Sequence, residues 1–412
     1  MLASLKRHSL KTSIFLFISF FGFTALWYSP FIVSLSTAVC AVLVIINWKQ
    51  ILQLPYRNLS IVLGIIVLLA FIDLVFAPQN KLASAKILLV IGLFTTCIAG
   101  FQNFKISVVQ LVWYLLLISV TVFIINVLSV GNYLLNKSHF DEMLLQSKSI
   151  PILNMHHIHF GIINAVVIFG LVGLLVFQKV EGKLKGLAYL LLIVNVICFH
   201  ILSSRTGLLS FYIAASFSFL TYAIGQRKYL VLVVGPVLMA AMLLLTYSLS
   251  TSFQSKIKNT IEDVNSWGHG AEINHKSMAM RIEAYKASYS VIKENPFGTG
   301  ADAQESAIMS AFEQQNSVLE IENRKGPHNQ FLEFGVKYGW LGVVLIIVFF
   351  ISLLSLVRDT TFLYVALIIV LFISMLFESL LERQASIYFV ALFIPLYYYL
   401  FSKKTINGSI LT

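Results

Sequence analysis

Charged residues are scarce in this sequence of 412 residues. Only 11% of them are Asp, Glu, Lys or Arg, whereas 58% are hydrophobic, and soluble domains carry about 25% charged residues. A soluble protein of this composition would lack the polar surface that keeps it in solution. The scarcity of charge therefore excludes the soluble class and indicates an integral membrane protein.

Cysteine is also scarce. Cys40, Cys97 and Cys198 all lie in apolar runs, where they indicate neither a disulfide framework nor a set of metal ligands. The N-terminus is basic and an apolar run follows it, as in a signal peptide. Because no small-residue cleavage site comes next and apolar segments continue, we expect an uncleaved first helix.

Long apolar runs are abundant. A helix crosses the hydrocarbon core with about 20 residues, so we predict an all-α fold, a polytopic membrane helix bundle of about twelve transmembrane helices. The predicted segments are Thr12–Tyr28, Phe31–Trp48, Leu59–Ala77, Ile87–Phe101, Ile106–Val130, Ile158–Phe177, Leu187–Leu202, Gly207–Gly225, Tyr229–Ser248, Tyr338–Val357, Phe362–Leu381 and Ile387–Phe401. Helices 1–9 thus occupy residues 1–249, and helices 10–12 with a short tail occupy residues 328–412.

Lysine and arginine are unevenly divided between the two predicted sides. The short loops on the side of both termini carry fourteen of them, and the opposite short loops carry six. Since these residues favour the cytoplasmic side, we expect both termini in the cytoplasm. The net charge of +11 then lies mostly at the cytoplasmic lipid surface, which indicates membrane lipids and not nucleic acid as partners.

One long stretch, Ser250 to Pro327, is polar and holds ten acidic and eight basic residues. We call it the polar loop (residues 250–327). The orientation rule predicts that it is periplasmic. Apolar residues at helical spacing between Asn274 and Glu294, followed by a turn sequence from Asn295 to Gly300, indicate that it is partly helical.

Arg205 and His328 are the first candidates for chemistry. Arg205 follows Ser203 and Ser204 at the outer end of a predicted helix, where a charge is costly; its guanidinium could hold a diphosphate or simply extend to the interface. His328 follows Pro327 at the predicted lipid–water boundary. It could act as a general base near neutral pH or make structural contacts.

Two further polar groups lie on the predicted outer side. His156, His157 and His159 precede the sixth predicted helix; they could bind zinc, but no second ligand group has clear spacing, so we favour polar lining of a cavity. Glu378 and Glu382 are four residues apart, which predicts one helix face. The two glutamates, which Arg383 follows, could neutralise an outer arginine, contact substrate or form a plain salt bridge.

These motifs resemble a known family. His328-Asn329, followed after nine residues by Gly339-x-x-Gly342, resembles the His-Asn-x9-Gly-x-x-Gly signature of the O-antigen ligase and O-antigen polymerase superfamily. Three other elements are similar to that family: Arg205-Thr206-Gly207-Leu208-Leu209, Arg281 and Tyr285 before the turn Asn295–Gly300, and Glu378-Ser379. The similarity covers roughly Phe160 to Tyr399. The segment His156–His159 departs from the Asn-Pro-Asn pattern of many members.

The resemblance implies a glycosyltransferase of the bacterial inner membrane that uses no cofactor and no metal. Such proteins move a glycan from an undecaprenyl-diphosphate carrier to an acceptor hydroxyl at the periplasmic face. The acceptor is lipid A core for a ligase or a second carrier-linked glycan for a polymerase, and the sequence does not separate the two. By resemblance and position, the catalytic residues are Arg205, Arg281 and His328, and the substrate-binding candidates are Ser204, Asn329, Tyr285, His157, Glu378 and Arg383.

Two other functions compete with glycan transfer. A transporter or flippase of a lipid-linked saccharide could have twelve helices, but transporters place their charges near the bilayer midplane on broken helices. Here the charges are predicted to gather at one face. A membrane scaffold would not need arginine and histidine to converge.

Overall fold

The fold is all-α, as predicted. The computed structural model describes residues 2–46, 57–76, 81–104, 106–145, 148–268, 273–357 and 360–403. Within these residues there are sixteen α-helices and no strand. The helices are α1 (Leu2–Ala25), α2 (Pro30–Ile46), α3 (Arg57–Phe76), α4 (Lys81–Asn103), α5 (Val108–Leu135), α6 (Lys137–Leu145), α7 (His157–Val176), α8 (Gly182–Leu202), α9 (Arg205–Gln226), α10 (Val231–Leu249), α11 (Thr251–Gly268), α12 (Ser277–Glu294), α13 (Gln304–Gln314), α14 (Gln330–Leu354), α15 (Phe362–Phe377) and α16 (Gln384–Leu400).

Each of the twelve predicted segments coincides with a helix. In the described parts of the chain, seven helices are long and apolar enough to cross a membrane, namely α3, α5, α7, α8, α9, α10 and α14. The other five segments correspond to shorter apolar helices in α1, α2, α4, α15 and α16, so the crossing of all twelve stays a prediction. The predicted ends at Trp48 and Ala77 lie outside the described residues.

Two predicted boundaries are wrong. The tenth segment was expected to begin at Tyr338, but α14 begins at Gln330 because Asn329 caps it: the Asn329 Oδ1 atom accepts hydrogen bonds from the backbone N–H groups of Phe331 (2.9 Å) and Leu332 (3.2 Å). The eleventh was expected to reach Leu381, but α15 ends at Phe377 and Glu378 is extended. Both differences place polar residues at the ends of helices.

Helix α7 is the centre of the bundle. In its apolar window 89% of the residues are buried, against 6% in α10, so α7 packs inside the protein while α10 presents apolar side chains outwards. Asn126 of α5 donates hydrogen bonds to Asn164 of α7 (2.6 Å) and Asn195 of α8 (2.8 Å). Hydrogen bonds between buried amides hold transmembrane helices together, and these two bonds join α5 to α7 and α5 to α8.

The polar loop is a folded unit, and its predicted helical content is confirmed. It contains α11, α12 and α13. Its apolar core is separate from that of the bundle and includes Ala287, Val291, Ile308 and Phe312. Val336 of α14 belongs to the same core, so the loop is packed against the first turns of a bundle helix.

The turn after α12 binds to a break in α14. Gly339 has φ +64°, outside the helical range, and this break leaves backbone groups without helical partners. Thr299 N–H donates to Val336 O (2.9 Å), and Gly300 N–H donates to Lys337 O (3.0 Å). Trp340 N–H donates to Pro296 O (3.0 Å). The turn Asn295–Gly300 and the segment around Gly339 therefore bind each other through their backbones.

Candidate functional site

Glu378 lies at the centre of the candidate site. Its side chain is only 2% exposed. The Oε1 atom is 3.5 Å from His328 Nδ1 and 3.8 Å from His159 Nε2, and the Oε2 atom is 4.0 Å from Arg281 Nη2. Burial alone would raise the pKa of this carboxyl, but His159 and His328 hold the pKa well below its ordinary value. Glu378 is therefore an anion that joins three basic side chains.

The end of α15 fixes the position of three predicted site residues. The last carbonyls of a helix have no partners within it. Arg281 Nη1 donates to Phe377 O (2.9 Å). Tyr285 Oη and Asn329 Nδ2 each donate to Leu376 O (3.0 Å). The residues on α12 and at the start of α14 thus reach the same helix end, and Glu378 follows it directly.

His328 has an unusual backbone conformation. Its φ of +46° is left-handed, which costs free energy for a residue other than glycine and is found at functional sites. The imidazole is 32% exposed, and its Nδ1 atom faces Glu378. The Nε2 atom has no hydrogen-bonding partner among the described residues. This geometry leaves one ring nitrogen accessible to a ligand.

Arg205 and Ser204 lie at the junction of α8 and α9. Ser203 is left-handed with φ +53° and ends α8, and Arg205 is the first residue of α9. The Ser204 hydroxyl is buried and has no hydrogen-bond partner in the described structure. A Cβ atom on Gly207 would lie 2.7 Å from the Gly161 carbonyl carbon. Glycine at 207 therefore permits the close contact that brings Arg205 beside the start of α7.

Asp263 connects Arg205 to the helix that carries Arg281. Arg205 Nη1 is 3.9 Å from Asp263 Oδ2. The same oxygen accepts a hydrogen bond from Met278 N–H (3.0 Å) in the first turn of α12, one turn before Arg281. Helices α11 and α12 thus fold back over the ends of α9 and α15, which brings Arg205, Arg281 and His328 to one end of the bundle.

Sequence reasoning missed Asp263 and Lys256. The Lys256 ammonium is buried and donates to Ser149 Oγ (2.7 Å). Burial, with the charge of Arg205, lowers the pKa of Lys256 to about 8. A signal was present: the buried polar residues Ser252, Lys256, Asn259 and Asp263 of α11 have the spacing of one helix face.

His157 and Arg383 lie in the wall of a cavity beside Glu378. The cavity volume is about 570 Å³. His157 Nε2 is 3.1 Å from Ser149 Oγ, and His159 contributes to the same wall. The three histidines thus line a cavity, as predicted, and the location of this cavity on the outer side stays a prediction.

The prediction that Glu378 and Glu382 share one helix face is wrong. Helix α15 ends before both of them, and a short 3₁₀ helix, Leu380–Glu382, turns the second carboxylate away. Glu382 instead contacts Lys337, which also lies 3.7 Å from Glu333. Only Glu378 reaches the candidate site.

The geometry does not form a metal centre in the described ranges. Among these residues no group of three or more His, Cys, Asp or Glu side chains could hold a metal ion. The site combines an anion, two arginines and a histidine, which is a set of groups suited to binding an anionic ligand and moving a proton.

The comparison with protein families agrees with the motifs. Residues 188–347, which are less than half of the chain, match the model of the O-antigen ligase family. This confirms the resemblance to the O-antigen ligase and polymerase superfamily. The match includes Arg205, Arg281 and His328 and ends before Glu378. Among curated proteins, none matches this chain.

Proposed function

We propose, from this family match and from the convergence at Glu378, that the chain is a glycosyltransferase of the bacterial inner membrane. It would move a glycan from undecaprenyl diphosphate to an acceptor hydroxyl at the periplasmic face, in the biosynthesis of a cell-surface polysaccharide. The acceptor would be lipid A core or a second carrier-linked glycan. No nucleotide sugar and no metal would take part.

The reaction needs few catalytic groups. The acceptor oxygen attacks the anomeric carbon of the first sugar, a new glycosidic bond forms, and the bond to the diphosphate oxygen breaks. The acceptor proton moves to a base, and undecaprenyl diphosphate leaves with its charge. Because this leaving group is already activated, positioning and charge stabilisation supply most of the catalysis.

Arg205 and Arg281 would bind the diphosphate. A guanidinium presents a planar set of N–H donors that matches phosphate oxygens, and both side chains are partly exposed at the same end of the bundle. Their contacts with Asp263 and Glu378, at 3.9 and 4.0 Å, are longer than charge-assisted hydrogen bonds. Apart from the Arg281 Nη1–H group that Phe377 O accepts, the guanidinium donors therefore remain available for the donor phosphates.

His328 would accept the acceptor proton. A carboxylate next to Nδ1 favours the tautomer with the proton on that atom, so that the Nε2 lone pair is free. Glu378, at 3.5 Å from Nδ1, is suited to this and would stabilise the imidazolium after proton transfer. The meeting of His328 and Arg281 at one buried carboxylate is the observation that supports the proposal.

The test is transfer in vitro from an undecaprenyl-diphosphate glycan. Arg281→Ala and Arg205→Ala are each expected to lower turnover by about 10²- to 10³-fold, as the loss of one charge-stabilising donor does. Lysine in place of either arginine should recover little of the lost turnover, because its ammonium lacks the planar set of N–H donors of a guanidinium. His328→Ala is expected to lower turnover by about 10²- to 10⁴-fold while donor binding persists.

Two matched variants serve as controls. Lys293→Ala removes a cation from the exposed end of α12, and His139→Ala removes an exposed imidazole from α6; both should keep wild-type turnover.

The role of metal is tested with a chelator, and we expect glycan transfer to persist in EDTA. Near-normal turnover in Arg281→Ala or His328→Ala, or loss in EDTA that zinc restores, would contradict the mechanism.

A lipid-linked saccharide transporter remains the second candidate, because α14 is broken at Gly339 and buries Lys337 next to Glu382. Broken helices with buried charges are typical of transporters, and this arrangement is the observation that favours the second candidate. The break lies nine residues, about 14 Å, from the start of α14. A transporter would move the donor without forming a glycosidic bond, and product analysis distinguishes the two.

A further inference from the structure

The cavity beside Glu378 has four walls. One is the segment of residues 149–155, the second is the start of α7 with His156, His157 and His159, and the third is the start of α16 with Arg383 and Gln384. The fourth is apolar and consists of Leu26, Pro30 and Val33. Gln384 Nε2 donates to Ser34 Oγ (2.6 Å) of α2, which fixes the third wall. The volume of about 570 Å³ is within the 300–1,000 Å³ of small-molecule sites and could hold a disaccharide.

The cavity lies on the histidine side of the carboxylate. His159, a wall residue, contacts Oε1 of Glu378, the same oxygen that His328 contacts. Arg281 contacts the other oxygen, Oε2. If the diphosphate binds at Arg281, next to Oε2, then a sugar in the cavity lies next to Oε1, on the other side of the carboxylate. An acceptor sugar must likewise approach from the side opposite to the diphosphate.

The charged side chains that line the cavity are of one sign. The lining includes no aspartate or glutamate, and its one lysine or arginine among the described residues is Arg383. Glu378 contacts the wall residue His159 but is not itself part of the lining. The Arg383 side chain forms no ion pair with any described residue. Partial burial, and the neighbouring His159, lower the pKa of His156 to about 4, so that this imidazole is neutral and able to bind hydroxyls. The wall suits a sugar with a negative group.

We propose that this cavity binds the acceptor saccharide and that Arg383 selects an acceptor sugar that carries a carboxylate or a phosphate. The proposal rests on the proposed function and adds to it the chemical class of the acceptor. Arg383 would bind the anionic group, and the imidazoles and Ser149 would bind neighbouring hydroxyls. The acceptor hydroxyl would then face His328.

Binding to the full-length protein in nanodiscs tests this proposal without any need for turnover. The probes are a glucuronosyl-glucose disaccharide, a glucosyl-glucose 6-phosphate disaccharide and uncharged glucosyl-glucose. We expect the charged probes to bind wild-type protein about 10- to 100-fold more tightly than the uncharged one, as for a hydrogen-bonded charge pair. A comparison of the two charged probes shows whether Arg383 prefers a carboxylate or a phosphate.

Variants then locate the site. Arg383→Gln should remove the preference for the charged probes, and Arg383→Lys should keep part of it. Asn154→Trp, which fills the cavity from its rim, should weaken binding of all three probes. Arg227→Gln is the control: it makes the same substitution at the arginine that follows α9. It should leave the binding of all three probes unchanged.

The outcomes separate this proposal from the proposed function. Equal binding of charged and uncharged probes, or an unchanged preference in Arg383→Gln, overturns the cavity proposal even where glycan transfer is measured. A preference that Arg383→Gln abolishes, in a protein that transfers no glycan, supports the cavity and contradicts the proposed function. Tight binding that Asn154→Trp leaves intact places the probes elsewhere and overturns the proposal.

Discussion

Glu378 determines the arrangement of the candidate site at the scale of single residues. Its two oxygens contact side chains from α7, α12 and the start of α14. Removing a buried charge leaves its partners uncompensated, so a substitution here would disturb His159, Arg281 and His328 together. A loss of activity in a Glu378 variant would therefore report on positioning as much as on proton transfer.

Lys256 gives the site a dependence on pH. Its pKa is lowered to about 8 from an ordinary 10.5 by burial and by Arg205. As the pH rises through about 8, Lys256 loses its charge beside Arg205, and we expect the affinity for an undecaprenyl-diphosphate donor to fall by about three- to tenfold. In Lys256→Met the affinity should not change between about pH 7 and 9.5.

Stability gives an independent measure of the same group. Because the folded protein binds fewer protons than the unfolded chain between about pH 8 and 10.5, the free energy of unfolding should rise over this range in the wild type relative to Lys256→Met. Lys258→Met removes a solvent-exposed lysine from the same helix and should show the wild-type profile. A donor affinity that falls equally in both variants would assign the pH dependence to another group.

The individual candidates were predictable from the sequence, but their partners were not. Arg205, Arg281 and His328 stand out because charge is rare in this chain and because they fall in short motifs. Their contacts with Asp263 and Glu378 depend on how the polar loop folds back over the bundle. No spacing rule relates residues separated by 58 positions, as Arg205 and Asp263 are. Lys256 was missed because α11 lies in a polar stretch, where one lysine among many polar residues does not stand out.

At the scale of elements, α14 and the turn after α12 form one joint. The first nine residues of α14 carry Val336 into the core of the polar loop, and the remainder continues into the bundle. The break at Gly339 and the turn at Pro296–Gly300 exchange three backbone hydrogen bonds. This joint sets the position of the polar loop, and with it Arg281, relative to His328.

Gly339→Ala tests the joint. The φ of +64° is costly for alanine, and a Cβ atom there would lie too close to the Pro296 carbonyl oxygen for the turn to stay in place. We expect destabilisation of at least about 1–3 kcal/mol together with a loss of glycan transfer. The measurements are thermal unfolding in detergent and the transfer assay.

The control is Gly64→Ala in α3, where an added Cβ atom meets nothing within 4 Å and alanine favours the helix. This variant should be as stable as the wild type or more so. If Gly339→Ala unfolds like Gly64→Ala and keeps its activity, the joint does not position the site.

Apolar runs predicted the elements well, and polar residues changed their ends. Hydropathy located all twelve segments because each is a run of apolar side chains. It placed the start of α14 eight residues late, since Gln330, Glu333 and Lys337 resemble loop residues in a hydropathy window. In the structure these residues form buried contacts with Leu381, Ser379 and Glu382, and the cap at Asn329 begins the helix before the apolar run.

At the scale of the whole molecule, polarity differs between the two ends of the bundle. The polar loop, the site and its cavity lie at the end where α9 and α14 begin, and Lys183 and Arg227 lie at the opposite end, where α8 begins and α9 ends. The predicted topology assigns most of the other short-loop lysines and arginines to that end as well. Positive charge next to a membrane favours the cytoplasmic side. The glycan-transfer proposal requires that the site be on the other, periplasmic side, where the carrier-linked glycan is presented.

Single cysteines test this orientation. The native Cys40, Cys97 and Cys198 are buried, so they should contribute little background labelling. Ser306→Cys and Glu313→Cys, exposed on α13 of the polar loop, are expected to react with an impermeant maleimide in intact spheroplasts. Lys183→Cys and Gln226→Cys, exposed at the opposite end of the bundle, should react only after lysis. The reverse pattern would put Arg205, Arg281 and His328 in the cytoplasm, where a periplasmic transfer could not take place.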